Sequence, residues 1–156
     1  MKTLPVCDAG FLVRQTRLML SSYRHWIGKE LWPDDKADDI LVQEVFFAPF
    51  VLCSFGIELD PVLNYGNQKA LDLWEMDWPT FTRTLGRYTA EPVEQKERDV
   101  FLETVRKQGY MDNYRGIRIS KSGRRFEITQ ATVWNLVGEN GEYTGQAATF
   151  SKWNHI

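Results

Sequence analysis

Asn64-Tyr65-Gly66-Asn67-Gln68-Lys69-Ala70-Leu71-Asp72-Leu73-Trp74-Glu75-Met76 is the stretch that decides the fold. Pro61-Val62-Leu63, just before it, reads as a short strand. Asn67 suits a helix N-cap, because its side-chain oxygen can accept from a free backbone N–H of the first turn. Ala70, Leu71, Leu73 and Trp74 then recur at helical spacing while the opposite face stays polar. A strand running into a capped amphipathic helix, with further strands downstream, predicts a mixed α+β domain.

Upstream of this stretch, Phe50-Val51-Leu52-Cys53-Ser54-Phe55 is a nearly unbroken apolar run between Pro49 and Gly56, and predicts a strand covered on both faces. Residues 10–30 predict a helix with Leu12, Met19, Tyr23, Trp26 and Ile27 on one face and Gly28 as its stop. The acidic stretch 32–39 reads as a linker, followed by a short helix over 40–46. Residues 1–46 therefore form an N-terminal helical extension, and residues 47–156 the main domain. Downstream, Asp77-Trp78-Pro79 opens a helical turn. Thr89-Ala90-Glu91-Pro92 starts a long helix whose apolar stripe is Val93, Val100, Phe101 and Val105, with Gly109 at its end. Three β-runs follow, 110–119, 124–136 and 143–153, the last two joined at Asn140-Gly141, a strong hairpin signal.

The chain has 156 residues, enough for one domain with a substantial core. Aromatic residues make up 13%, including six Trp, so the rings fill a large core, line a pocket or sit at an interface. A net charge of −2 lacks the basic footprint of nucleic-acid binding, and direct contact with nucleic acid is not expected. Two cysteines, Cys7 and Cys53, suggest neither a disulfide framework nor a cysteine metal site. No apolar run is long enough for a membrane span and no signal peptide is evident, so the expectation is a cytoplasmic protein. Walker, nucleophile-elbow, Rossmann and His-Glu-x-x-His patterns are missing, and no enzymatic activity is expected.

Taken in order, Leu20-Ser21-Ser22-Tyr23-Arg24-His25-Trp26, Ala48-Pro49-Phe50-Val51-Leu52, the Asn64–Met76 stretch, Thr89-Ala90-Glu91-Pro92 and Gly109-Tyr110-Met111 resemble the MEKHLA family, a PAS-like module. So do Tyr114-Arg115-Gly116-Ile117-Arg118-Ile119, Gly123-Arg124-Arg125-Phe126, Ala131-Thr132-Val133-Trp134-Asn135 and Gly145-Gln146-Ala147-Ala148-Thr149-Phe150. The family occurs as small standalone bacterial and cyanobacterial proteins and at the C-terminus of plant class III homeodomain–leucine zipper proteins. The resemblance implies a five-stranded antiparallel PAS-like sheet with helices on one face and a sensory or regulatory role, but no particular ligand. The other face needs a cover, and the N-terminal helix is the only large apolar surface that can supply it.

Within that frame, Trp74, Trp78, Phe81 and Tyr88 are candidate walls of a ligand slot, with Asn113, Gln146 and Thr149 as polar contacts. Gly145, Ala147 and Thr149 are small residues that leave room beside a ligand or let a helix pack closely. Cys53 joins the lining as a buried thiol. The region 80–109 contains no Cys for a flavin adduct, and 92–108 no His for an axial haem bond; non-covalent flavin or another small organic molecule stays open. Arg115, Arg118, Arg124 and Arg125 cluster on one hairpin, either as a solvated ribbon or as a hold for an anionic group. The leading expectation is a sensory module that binds a small, largely apolar or aromatic ligand and signals through a protein partner, or through a homodimer formed by the N-terminal helix. The alternatives are a ligand-free interaction domain, with Trp26, Trp32 and Trp153 as anchors, and a flavin protein.

Overall fold

The computed structural model describes residues 3–156. The sequence makes helix α1 (Ala9–Ile27), helix α2 (Asp38–Phe46), strands β1 (Val51–Phe55) and β2 (Leu63–Gly66), and then α3 (Gln68–Trp74) and α4 (Trp78–Phe81). A 3-10 turn (Gly86–Thr89), α5 (Pro92–Gln108), β3 (Tyr110–Ile119), β4 (Arg125–Val137), β5 (Tyr143–Phe150) and β6 (Lys152–His155) complete it. All strand pairs are antiparallel, and the sheet order is β2-β1-β5-β4-β3.

The expected five strands become six. The last β-run bends at Ser151, and its final piece, β6, pairs with the first half of β4 from Phe126↔His155 to Thr129↔Lys152. β4 has 13 residues and β5 only 8, so without β6 the start of β4 would be an open edge. β2 also starts later than expected. Asn64-Tyr65-Gly66 is strand, whereas Val62 makes only an isolated bridge to Leu85.

Caps behave as the residue types dictate. Asp8 accepts from Gly10 N, Asn67 from Ala70 N and Asp77 from Thr80 N. Gly28 ends α1 with φ 78°, a left-handed conformation that favours glycine. The apolar stripe of α5 differs from the predicted one. Val93 and Val100 are exposed, and the buried side chains are Arg98, Phe101 and Val105. An inward-facing arginine rotates the stripe away from the purely apolar reading.

Helix α1 lies on the sheet face opposite α3, α4 and α5. Trp134 Nε1 donates to Met19 O (3.2 Å), Ser22 Oγ accepts from Val137 N (2.8 Å) and Gln15 Nε2 donates to Ser54 Oγ (3.0 Å). Met19, Leu41, Val45 and Phe46 belong to the same core as Leu52, Trp134 and Leu136. The stretch expected as a linker is clasped to α1: the Arg17 guanidinium donates to Asp34 O (2.9 Å), Lys36 O (2.8 Å) and the Asp38 carboxylate (2.8 Å). Trp32 donates to Glu44 Oε1 (2.9 Å) and packs on Phe50.

Candidate functional site

Register sorts the side chains between the two faces. Cys53 pairs with Ala148, Val133 with Ala148 and Asn135 with Gln146, and these share the α5 face. Ser54 and Trp134 both pair with Ala147 and look toward α1. Two bulges adjust β3 against β4. Asn113 (φ 54°) and Gln130 (φ 56°) sit at them in left-handed backbone, so that Tyr114, Gly116 and Arg118 line up opposite Ala131, Ile128 and Phe126.

Between the α5 face and helices α3, α4 and α5 lies a partly open cavity of about 60 Å³. Its walls are mostly apolar, with Leu63, Trp74, Phe81, Phe101, Ile128, Val133 and Phe150 prominent. Trp74 meets Phe126, Phe81 and Phe150 edge-on at 5.4, 6.2 and 6.2 Å. Its indole N–H is buried without a hydrogen-bond partner among the described residues. Two further donors, Arg98 from α5 and Arg118 from β3, enter the same cavity. An open groove of about 520 Å³ adjoins it and shares Phe55, Arg98, Leu102 and Gln146.

Cys53, Trp74, Phe81 and Ala147 lie along the cavity, Ala147 through the body of its strand because its register turns the methyl toward α1. Gln146 lines it too and donates to Leu102 O (3.1 Å) and Asn135 Oδ1 (3.0 Å). Four predicted residues lie elsewhere. Trp78 packs on Phe46 and Tyr65 beyond the β2 edge (6.2 and 5.7 Å). Tyr88 is 56% exposed, because the 3-10 turn points it outward. Asn113 is exposed at its bulge. Thr149 faces away from the cavity, pairs with Leu52 and Thr132, and donates to Val51 O (2.8 Å). The three rings expected as interface anchors are half-buried and engaged within the chain. Trp26 donates to Asn135 O (3.0 Å), Trp32 is held as described, and Trp153 packs on Phe150.

The basic hairpin divides. Arg115, Arg124 and Arg125 are exposed, while Arg118 turns inward. Arg98 is the site residue that the helical pattern concealed; a charged residue flanked by Glu97 and Asp99 carries no signal of burial. Burial, aided by the like charge of Arg118, lowers the Arg98 guanidinium to about 10. Burial pushes the Cys53 thiol up to about 12 against the opposing pull of Arg98 and Arg118, which makes it a neutral wall group and a poor nucleophile. Among the described residues no three His, Cys, Asp or Glu gather as a metal site, and no helix is long and apolar enough to cross a membrane.

The MEKHLA domain family model matches residues 13–155. Two homeobox-leucine zipper proteins of Arabidopsis thaliana are similar to this chain. ATHB-9 is 27% identical over 82% of it, and ATHB-14 is 24% identical over 90%. The matched segments make up only 14% and 17% of those relatives. Among solved structures, the PAS domain of a Colwellia psychrerythraea protein superposes with a TM-score of 0.62 at 13% identity, over 76% of this chain and 95% of that one. A light-oxygen-voltage domain, solved with a flavin analogue, gives 0.59 at 13% identity, over 75% and 84%. Both place the chain in the PAS fold.

Proposed function

Because the chain belongs to the MEKHLA domain family and has the PAS fold, we propose that it is a non-catalytic sensory module of the cytoplasm. It binds a small molecule in the cavity between the sheet and α3–α5 and reports occupancy through α1 to a partner surface. The mostly apolar cavity, with an unpartnered indole donor in its wall, is the observation that carries this reading. A hydrogen-bonded path supports the output. Gln146 on the cavity wall donates to the Asn135 side chain, whose backbone oxygen accepts from Trp26 of α1. Occupancy that displaces Gln146 changes the relative stability of two α1 positions, which is all that a population shift requires.

Flavin does not fit. The cavity of about 60 Å³ lies far below the roughly 300–1,000 Å³ of cofactor pockets. The same small volume favours a second reading, a filled PAS domain that serves only protein–protein interaction.

Native mass spectrometry of the chain purified from its own host decides between them. The sensory reading expects a guest mass that disappears on acid denaturation. A guest-free chain that no small molecule stabilises, and whose association depends on α1, would leave only the interaction module.

A further inference from the structure

We propose that the cavity takes an organic anion, a small carboxylic acid whose carboxylate sits between Arg98 and Arg118 and whose apolar body lies against Trp74. This inference rests on the reading of the cavity as a receptor.

Arg98 of α5 and Arg118 of β3, residues only 8% and 7% exposed, line one cavity, and no Asp or Glu lines that cavity among the described residues. The carboxylate beside Arg98 is Asp99 at 3.9 Å, itself 68% exposed, and the guanidinium carbon stands 5.8 Å from the Phe55 ring centroid. Arg118 donates to its neighbour Ile117 O (2.9 Å) and to the Tyr114 hydroxyl (3.2 Å). Tyr114 in turn hydrogen-bonds to the exposed Glu97 (2.9 Å), so a carboxylate reaches Arg118 only through a neutral phenol. Burial raises the pKa of Tyr114 and of Cys53, so both stay neutral at pH 7 and neither supplies a negative charge.

A buried cation whose ion-pair partner is a solvent-exposed carboxylate at 3.9 Å is weakly compensated, and two like charges repel each other. A carboxylate meets both needs, because the guanidinium fork matches its two oxygens. Trp74, which lines the cavity, offers its ring to the apolar body of such a ligand. Size limits the rest of the ligand. An apolar cavity of about 150 Å³ holds benzene. On the same ratio about 60 Å³ holds roughly two to three heavy atoms, little more than the carboxylate group itself. The body of propionate or benzoate needs the side of the cavity that adjoins the outer groove, where Phe55, Leu102 and Gln146 line both spaces, to open while Arg98 keeps its place beside Arg118.

The test uses the full chain, titrated calorimetrically with propionate and benzoate, each against its neutral amide, and with inorganic phosphate. The acids are expected to bind and the amides to bind about tenfold more weakly or worse, the loss of a charge-assisted pair. Arg98→Met and Arg118→Met should each weaken acid binding by a similar factor without lowering the melting temperature of the ligand-free chain. Arg98→Gln serves where the Met variant does not fold, and Arg98→Lys should recover part of the affinity. Equal binding of acids and amides, binding of phosphate alone, or acid affinity unchanged in the arginine variants would overturn the anion inference while the receptor stands. A guest identified by native mass spectrometry supports it if acidic and overturns it if neutral. If no probe binds and no guest is found, the receptor reading falls with it.

Discussion

Asn67 shows how much one side chain can organise. It is fully buried, and its Oδ1 accepts from Ala70 N (3.2 Å), the cap of α3, and from Leu52 N (3.0 Å) on β1. Its Nδ2 donates to Phe50 O (2.8 Å) and Val45 O (3.4 Å), which ties the end of α2 to the sheet. Asn67→Ala removes the cap and leaves two buried N–H groups and two carbonyls short of partners, so we expect a loss of about 3–5 kcal/mol in urea unfolding. Arg98 has the opposite sign. Its folded pKa is depressed, so the folded chain holds that proton less tightly than the unfolded chain. The stability cost is present at every pH below about 10 and is relieved as pH rises through that value toward the ordinary arginine range. Arg98→Met should therefore leave the ligand-free chain at pH 7 as stable as wild type or more so, by about 1–4 kcal/mol. Urea titrations at pH 7 and pH 11 should show that advantage shrinking at the higher pH. The Asn67 cap was legible because an Asn before an amphipathic run has one obvious use. Arg98 and Arg118 were not, because sequence patterns treat a charge as solvated, and their burial depends on a cavity to which seven other elements contribute.

At the scale of elements, the join between α3 and the β3–β4 turn sets the position of Trp74. Glu75 ends α3 in left-handed backbone (φ 58°), and its carboxylate accepts from Ser120 and Ser122, while Lys121 N donates to Trp74 O (3.0 Å). These hydroxyl donors hold the Glu75 carboxyl below its usual range, Ser120 contributing most. A depressed carboxylate adds stability above its unfolded pKa, about 4.3, and loses it as pH falls through the folded value. Glu75→Gln should lower the melting temperature at pH 7 and flatten its decline between pH 5 and pH 3, measured by calorimetry. A second join links α5, β4 and α1. Asn135 donates through Nδ2 to Arg106 O (3.1 Å) and through its backbone N to Gly109 O (2.8 Å), and accepts from Trp26. A Cβ on Gly109 would lie 2.3 Å from the Trp26 ring, at a backbone φ of 100°. A double-mutant cycle of Gln146→Ala with Trp26→Phe should therefore give a coupling of about 0.5–2 kcal/mol in stability, whereas independent sites would add within about 0.5 kcal/mol. Helix ends and strand runs could be read from caps, glycines and β-branched stretches. The cavity face could not, because the bulges at Asn113 and Gln130 break the two-residue alternation that assigns faces.

For the whole molecule, the decisive feature is that both sheet faces are covered. Along β4, Phe126, Ile128, Gln130, Thr132 and Trp134 alternate with Glu127, Thr129, Ala131, Val133 and Asn135, and neither set is cleanly polar, which is the pattern of a strand covered on two sides. The sixth strand was not foreseeable, because a single bend at Ser151 leaves no mark in an otherwise strand-like run. The cover has an energetic consequence for the division at residue 46. Leu52, Tyr65, Trp134 and Leu136 are almost wholly buried, and Met19 and Leu20 of α1 belong to the same core. Without α1, the Trp134 indole and the Val137 amide lose their partners, and a large apolar area meets water. Such a surface either associates or loses its fixed packing. A chain starting at residue 32 should therefore fail to persist as a native monomer. It should bind a hydrophobic dye, lose the near-ultraviolet signal of Trp134, and form dimers or larger species in sedimentation. A truncated chain that stays monomeric with an unchanged melting temperature would make α1 an accessory, and the route from cavity to output would then have to leave the sheet elsewhere. If the face does associate, the proposed release of α1 by an occupied cavity would also expose a self-complementary surface, because one helix would then both report the ligand and cover the interface.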